Sequence, residues 1–162
     1  MTSGREIARA LRAAYLALHR QTDDCFTSDG VTADQFVLLV ALAEADAATQ
    51  QELVRRVGSD PSTMRAMLLL LEGRGLVTRE RHPADGRARC VTLTEKGRQV
   101  FKKLWTKSEQ LRSRLLSAFQ PYEVTALLGL LRRVAEVMDP PASNGSRTTR
   151  MSYLPARNTI ER

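Results

Sequence analysis

Along most of the chain the apolar residues recur every three or four positions, and the gaps between these runs hold helix starters and stoppers. Ile7, Leu11, Ala14, Tyr15 and Leu18 mark one face of a helix over about residues 4–26, opened by Ser3 and Glu6 at capping-box spacing. After the break at Asp29-Gly30, Thr32 and Gln35 repeat that box ahead of Phe36, Leu39, Val40 and Ala43. Thr49 and Glu52 repeat it again before a short helix with Leu53 and Val57 inward, which Gly58 ends. Asp60-Pro61 then supplies a cap and a first-turn proline for a helix over about 61–73. In it Met64, Met67, Leu68 and Leu71 fall at i, i+3, i+4 and i+7 and must face the core. That turns Pro61, Ser62, Arg65 and Ala66 outward.

The period then changes. Leu76–Arg81 reads as a short strand by its β-branched residues and alternation, 82–86 as a turn, and Cys90–Leu93 as the returning strand of a hairpin. Thr94 can cap one long helix with Val100, Phe101, Leu104, Leu111, Leu115 and Phe119 on its apolar face. Pro121 starts a last helix carrying Val124, Leu127, Leu128, Leu131, Ala135 and Met138. Residues 139–162, rich in Pro, Ser and Arg, have no apolar period and read as a mobile tail. The expected fold class is mainly α with a small β-hairpin, an α+β chain.

Composition narrows the chemistry. Among 162 residues, 43% are apolar, enough for a core, and no apolar run approaches the 18 or so residues of a membrane span. Glu6, Arg9 and Arg12 stand where a signal peptide would need its apolar stretch, so the expected location is cytoplasmic, with no membrane partner. Cys25, Cys90, His19 and His82 are too few and too scattered for a metal site. No Ser/His/Asp spacing and no glycine-rich phosphate loop is present, so an enzyme acting on a polyanion has no support, and no catalytic residue, metal or cofactor is expected.

Charge adds a partner. Residues 74–107 hold ten basic groups against three acidic, a net +7 that equals the formal charge of the whole chain. An excess confined to about a fifth of the chain suggests a polyanion, most simply nucleic acid. Aromatics are only 5%, which disfavours single-strand binding by base stacking. The two short helices joined through Gly58 have the proportions of a helix-turn-helix, and the basic hairpin after them makes it a winged helix. A recognition helix reads base edges from its N-terminal turns, where Ser62 and Arg65 stand.

These residues carry a family resemblance. Residues 49–98, with the helical segments on both sides, resemble the MarR family of bacterial transcription regulators. Asp85, Arg87 and Arg89 match its wing signature, Leu71, Glu72, Gly75, Leu76 and Val77 its helix-to-wing junction, and Leu93, Thr94 and Gly97 the motif after the wing. Ala66, Leu69 and Leu70 depart from it, standing where the family usually carries polar or basic residues. The resemblance implies a homodimer on pseudo-palindromic double-stranded DNA, with a winged helix-turn-helix over 31–94 and dimerisation helices over 1–30 and 95–138. Apolar faces on the first and last helices, larger than one small domain would bury, fit that interface. Arg87 would enter the minor groove, Arg89 and Asp85 would brace the wing through an ion pair while lying near phosphate, and Arg74, Arg79 and Arg81 would contact phosphate, so that Arg89 also counts among the DNA-binding residues.

Family members often release DNA on binding small aromatic or phenolic anions, and Tyr15, His19, Phe36 and Trp105 could line such a cleft, although Tyr15 and Phe36 also stand at packing positions. Some relatives sense hydroperoxides through a thiol near the start of the first helix. Cys25 stands instead at its end, so a thiol-based redox repressor remains an alternative, as does a winged helix that binds protein without DNA. A purely protein-binding wing would not need Arg79, Arg81, Arg87 and Arg89 together.

Overall fold

The computed structural model describes residues 3–81 and 89–138. The hairpin turn with Asp85 and Arg87, and the proposed tail over 139–162, lie outside the described residues. In chain order the elements are α1 (Gly4–Phe26), a 3-10 turn (Thr27–Asp29), α2 (Ala33–Ala45), β1 (Ala48–Thr49), α3 (Gln50–Val57) and α4 (Pro61–Gly73). They continue with β2 (Val77–Arg81), β3 (Arg89–Leu93), α5 (Glu95–Lys107), α6 (Glu109–Ser117) and α7 (Pro121–Met138).

The helix starts form where the spacing places them. Thr32 Oγ1 accepts from Gln35 N at 3.2 Å while Gln35 Oε1 accepts from Thr32 N at 3.3 Å. Thr49 and Glu52 make the same exchange at 3.3 and 2.7 Å. The Thr49 N–H, followed by the Thr49 hydroxyl and the nearby Arg56 and Arg55, holds the Glu52 carboxyl below the usual range against the opposing cost of burial. Each pair satisfies two backbone donors that an open helix end would strand.

Two elements differ from the sequence expectation. The sheet has three strands in the order β1-β3-β2, all antiparallel, because Ala48 and Thr49 pair with Val91 and Cys90. The single helix expected over the region after Thr94 is two, α5 and α6, broken at Ser108. Ser108 is buried, and its hydroxyl donates to the Trp105 carbonyl at 2.9 Å, an alternative partner for a backbone group that a continuous helix would use differently.

By their internal contacts the described residues fall into two compact units, one up to Arg112 and one from Ser113 onward. In the first, Leu38, Leu39 and Leu42 of α2 share one core with Leu53 of α3, Met64, Leu68 and Leu71 of α4, and Leu104 of α5. Phe26, Phe36, Phe101 and Trp105 run through it as successive ring contacts of 4.6, 6.5 and 5.8 Å. Arg112 caps the row, its guanidinium 3.7 Å from the Trp105 ring centre. In the second, α7 buries none of its residues, and Leu127, Leu130 and Leu131 are half exposed.

The junction between helix and hairpin is closely bonded. Gly75 turns the chain at φ +69°, and the N–H groups of Gly75 and Leu76 close the α4 end on Glu72 O (2.8 Å) and Leu71 O (2.9 Å). Thr94, returning from β3, donates its N–H to Leu76 O at 3.0 Å and its hydroxyl to Gly75 O at 2.7 Å. The same hydroxyl oxygen accepts from Gly97 N at 2.9 Å, which starts α5. The motif residues 71–77 and 93–97 therefore meet in one knot.

Candidate nucleic-acid interface

α3 ends on Gly58 in the left-handed region, its N–H donating to Val54 O at 3.0 Å, and two residues later Asp60 opens α4. Asp60 Oδ1 accepts the N–H groups of Ser62 and Thr63, each at 2.9 Å, as well as the Ser62 hydroxyl. The Ser62 hydroxyl first, and Thr63 after it, hold this carboxyl well below the usual range. Ser62 thus directs its hydroxyl hydrogen at the cap and offers its oxygen as an acceptor. Met64, Met67, Leu68 and Leu71 are buried, whereas Ser62, Arg65, Ala66, Leu69 and Leu70 are exposed.

Arg89 is exposed at the start of β3, in register with Arg81 on β2. It lines a cleft of about 310 Å³ with Thr49, Gln50, Gln51, Arg79 and Val91. Gln50 Nε2 also donates to Pro61 O at 3.2 Å, so this cleft adjoins the first turn of α4. Gln50 and Gln51 were not among the sequence candidates. Their signal was positional, as the first residues after the capping Thr49 on the first helix of the pair.

Two of the expected phosphate contacts also engage other residues of the chain, Arg74 while remaining exposed. Arg74 donates from Nη1 to Gly30 O at 2.6 Å and from Nη2 to Asp29 O at 3.0 Å, fastening the end of α4 to the turn after α1. Arg79 lies with only 17% of its side chain exposed, Nε 3.2 Å from Glu72 Oε2 in an ion pair too bent for a hydrogen bond. Further along the basic segment, Lys103 and Lys107 each place Nζ 2.6 Å from the buried Asp29 carboxylate. These bonds, Lys103 foremost, bring the Asp29 pKa down to about 2 against the opposing cost of burial. Part of the positive charge thus serves the fold.

The four cleft candidates fall into two groups. Tyr15 and His19 neighbour one another on α1, ring centres 5.5 Å apart. His19 Nδ1 lies 3.0 Å from Asp23 Oδ2 and Nε2 lies 3.4 Å from Asp34 Oδ1. Desolvation, then Asp34 and Asp23, raise the Tyr15 pKa. Phe36 and Trp105 belong to the aromatic row of the core. The Cys25 thiol, half-buried, lies 3.7 Å from Lys107 O, and Cys90 is buried. Among the described residues no cluster of His, Cys, Asp and Glu could hold a metal, and no single helix is long and apolar enough to cross a membrane.

Residues 31–88 match the model of the MarR family. The HTH-type transcriptional repressor NicR of Pseudomonas putida is 30% identical over 106 residues, 65% of this chain and 67% of NicR. The chain spans 64% of the length of one curated relative, the regulator YdgJ of Bacillus subtilis, and 67% of NicR. A solved structure of Bordetella bronchiseptica BpsR, whose DNA binding is regulated by 6-hydroxynicotinic acid, superposes with a TM-score of 0.74 at 28% identity, over 84% of this chain and 97% of that one. The repressor CouR, solved on a 23-mer DNA duplex, gives 0.71 at 28% identity over 83% and 99%.

Proposed function

Because the chain belongs to the MarR family, we propose that it is a transcription regulator, a ligand-responsive repressor that binds a pseudo-palindromic operator as a homodimer in the cytoplasm. The observation that carries this is the exposed face of α4, with Ser62 and Arg65 on a capped helix beside a cleft that ends in Arg89. CouR bound to DNA and NicR as a repressor support the same reading. In it residues 31–94 bind DNA, while 1–30 and 95–138 join two protomers. Ser62 and Arg65 address base edges, Arg81 and Arg89 the backbone, Arg87 the minor groove, and Asp85 steadies the wing. Arg74 and Arg79, which also bond or pair within the chain, steady this surface, Arg79 from the wall of the cleft itself.

The effector is a small aromatic or phenolic anion, a reading supported by the 6-hydroxynicotinic acid of BpsR. Tyr15 and His19 are its polar contacts, and Phe36 and Trp105 stiffen the core behind them.

The test is a fluorescence-anisotropy titration of the chain on duplexes that it selects from a random pool, against scrambled controls, at several salt concentrations. Tight binding to the selected duplex with a slope of about −0.9 per phosphate contact in log–log form is the expected result. Equal affinity for selected and scrambled DNA would overturn sequence-specific regulation.

A further inference from the structure

The outward face of α4 holds more apolar surface than a helix reading by hydrogen bonds alone would need. At about 100° per residue, the side opposite Met64, Met67, Leu68 and Leu71 is the line Ser62, Ala66, Leu69, with Arg65 on one flank and Leu70 on the other. Leu69 is 52% exposed and Leu70 59%, against 0% for Met64, Leu68 and Leu71 on the inner side. Leu69 therefore lies in the middle of the surface that also carries the hydroxyl of Ser62 and the guanidinium of Arg65. A leucine side chain has nothing to offer a phosphate. In the major groove, however, base pairs display one apolar group among their donors and acceptors, the 5-methyl of thymine.

Resting on the DNA-binding reading above, we propose that α4 recognises thymine through this methyl group, with Leu69 and Ala66 as the contact surface and Ser62 and Arg65 bonding to the bases beside it. The positive charge around the helix brings the duplex, and the apolar line decides which base steps fit. Such a surface separates thymine from uracil by a single methyl. Burial of one methyl corresponds to about fourfold in affinity, and about fifteenfold when both half-sites of a dimer's operator lose it independently.

The experiment needs no disruptive variant. The full chain selects duplexes of about 30 base pairs, long enough for two half-sites on successive turns, from a randomised pool. Each thymine of a selected duplex is then replaced singly by deoxyuridine, and affinities are measured for the wild type, Leu69→Ala and Leu70→Ala. The expected result is a loss of about fourfold at one or two positions per half-site for the wild type and for Leu70→Ala. Leu69→Ala should lose most of this discrimination at those positions, because only the small Ala66 side chain is left to meet the methyl. Uracil tolerated everywhere by the wild type, with the selected duplex still bound, overturns thymine recognition and leaves DNA binding standing. So does a thymine preference that survives Leu69→Ala in full. If the pool yields no preferred duplex, the sequence-specific reading falls, and this proposal with it.

Discussion

At position 97 a β-carbon would lie 1.9 Å from the Leu76 carbonyl oxygen and 2.9 Å from the carbonyl carbon, backbone atoms that cannot swing aside. Gly97→Ala must push α5 away from the turn that Thr94 and Gly75 close, and it is expected to cost about 3 kcal/mol, measured by denaturant unfolding. Nearby arginines separate by what they touch. Arg74→Ala should lower stability by about 1 kcal/mol, because two carbonyls lose a charged donor, yet leave the salt dependence of DNA binding unchanged. Arg89→Ala should do the reverse, sparing the unfolding midpoint and flattening the salt dependence by about one unit. A drop in stability at Arg89 equal to that at Arg74 would contradict this division.

The Asp29 carboxylate helps tie the 3-10 turn Thr27–Asp29 to α5, with Lys103 and Lys107 on its two oxygens. The Asp29 pKa is lowered on folding, so its stabilisation is present above the ordinary aspartate range, near pH 4, and is lost as pH falls through about 2. In wild type the unfolding midpoint should therefore decline between about pH 4 and 2, and Asp29→Asn should remove part of that slope. Helix starts such as those at Thr32, Thr49 and Asp60 were legible in the sequence because each cap is settled by residues two or three apart. β1 was not, since two residues cannot alternate and Thr49 had already declared itself as a cap. Its strand character comes from Val91 and Cys90 across the sheet. The break at Ser108 was hidden because Leu104, Leu111 and Leu115 keep helical spacing across it. At the site, the sequence showed the outward face of α4, but charge alone could not tell Arg89, facing solvent, from Arg79, turned toward Glu72.

A helix of 18 residues that buries none of them, and a first helix of 23 that buries only Phe26, leave Leu18, Leu127, Leu130 and Leu131 half in water. Covering the exposed half of such a leucine is worth about 1 kcal/mol, repeated along both helices, so the expected remedy is a second protomer. Leu127→Asp with Leu131→Asp should sediment as monomer or fail to stay soluble, whereas a stable dimer from that variant would place the interface elsewhere. The pairing of β1 with β3 has a different consequence, in time. Ala48 meets Val91, 43 residues further along the chain, whereas the helix caps close within four residues and the β2–β3 ladder within one hairpin. Contacts between distant residues form late, after the loop between them has lost its freedom. A substitution in β1 alone, such as Ala48→Gly, should hasten unfolding several-fold while barely slowing refolding. The last event in assembling the molecule would then be the joining of its helix-turn-helix to its wing.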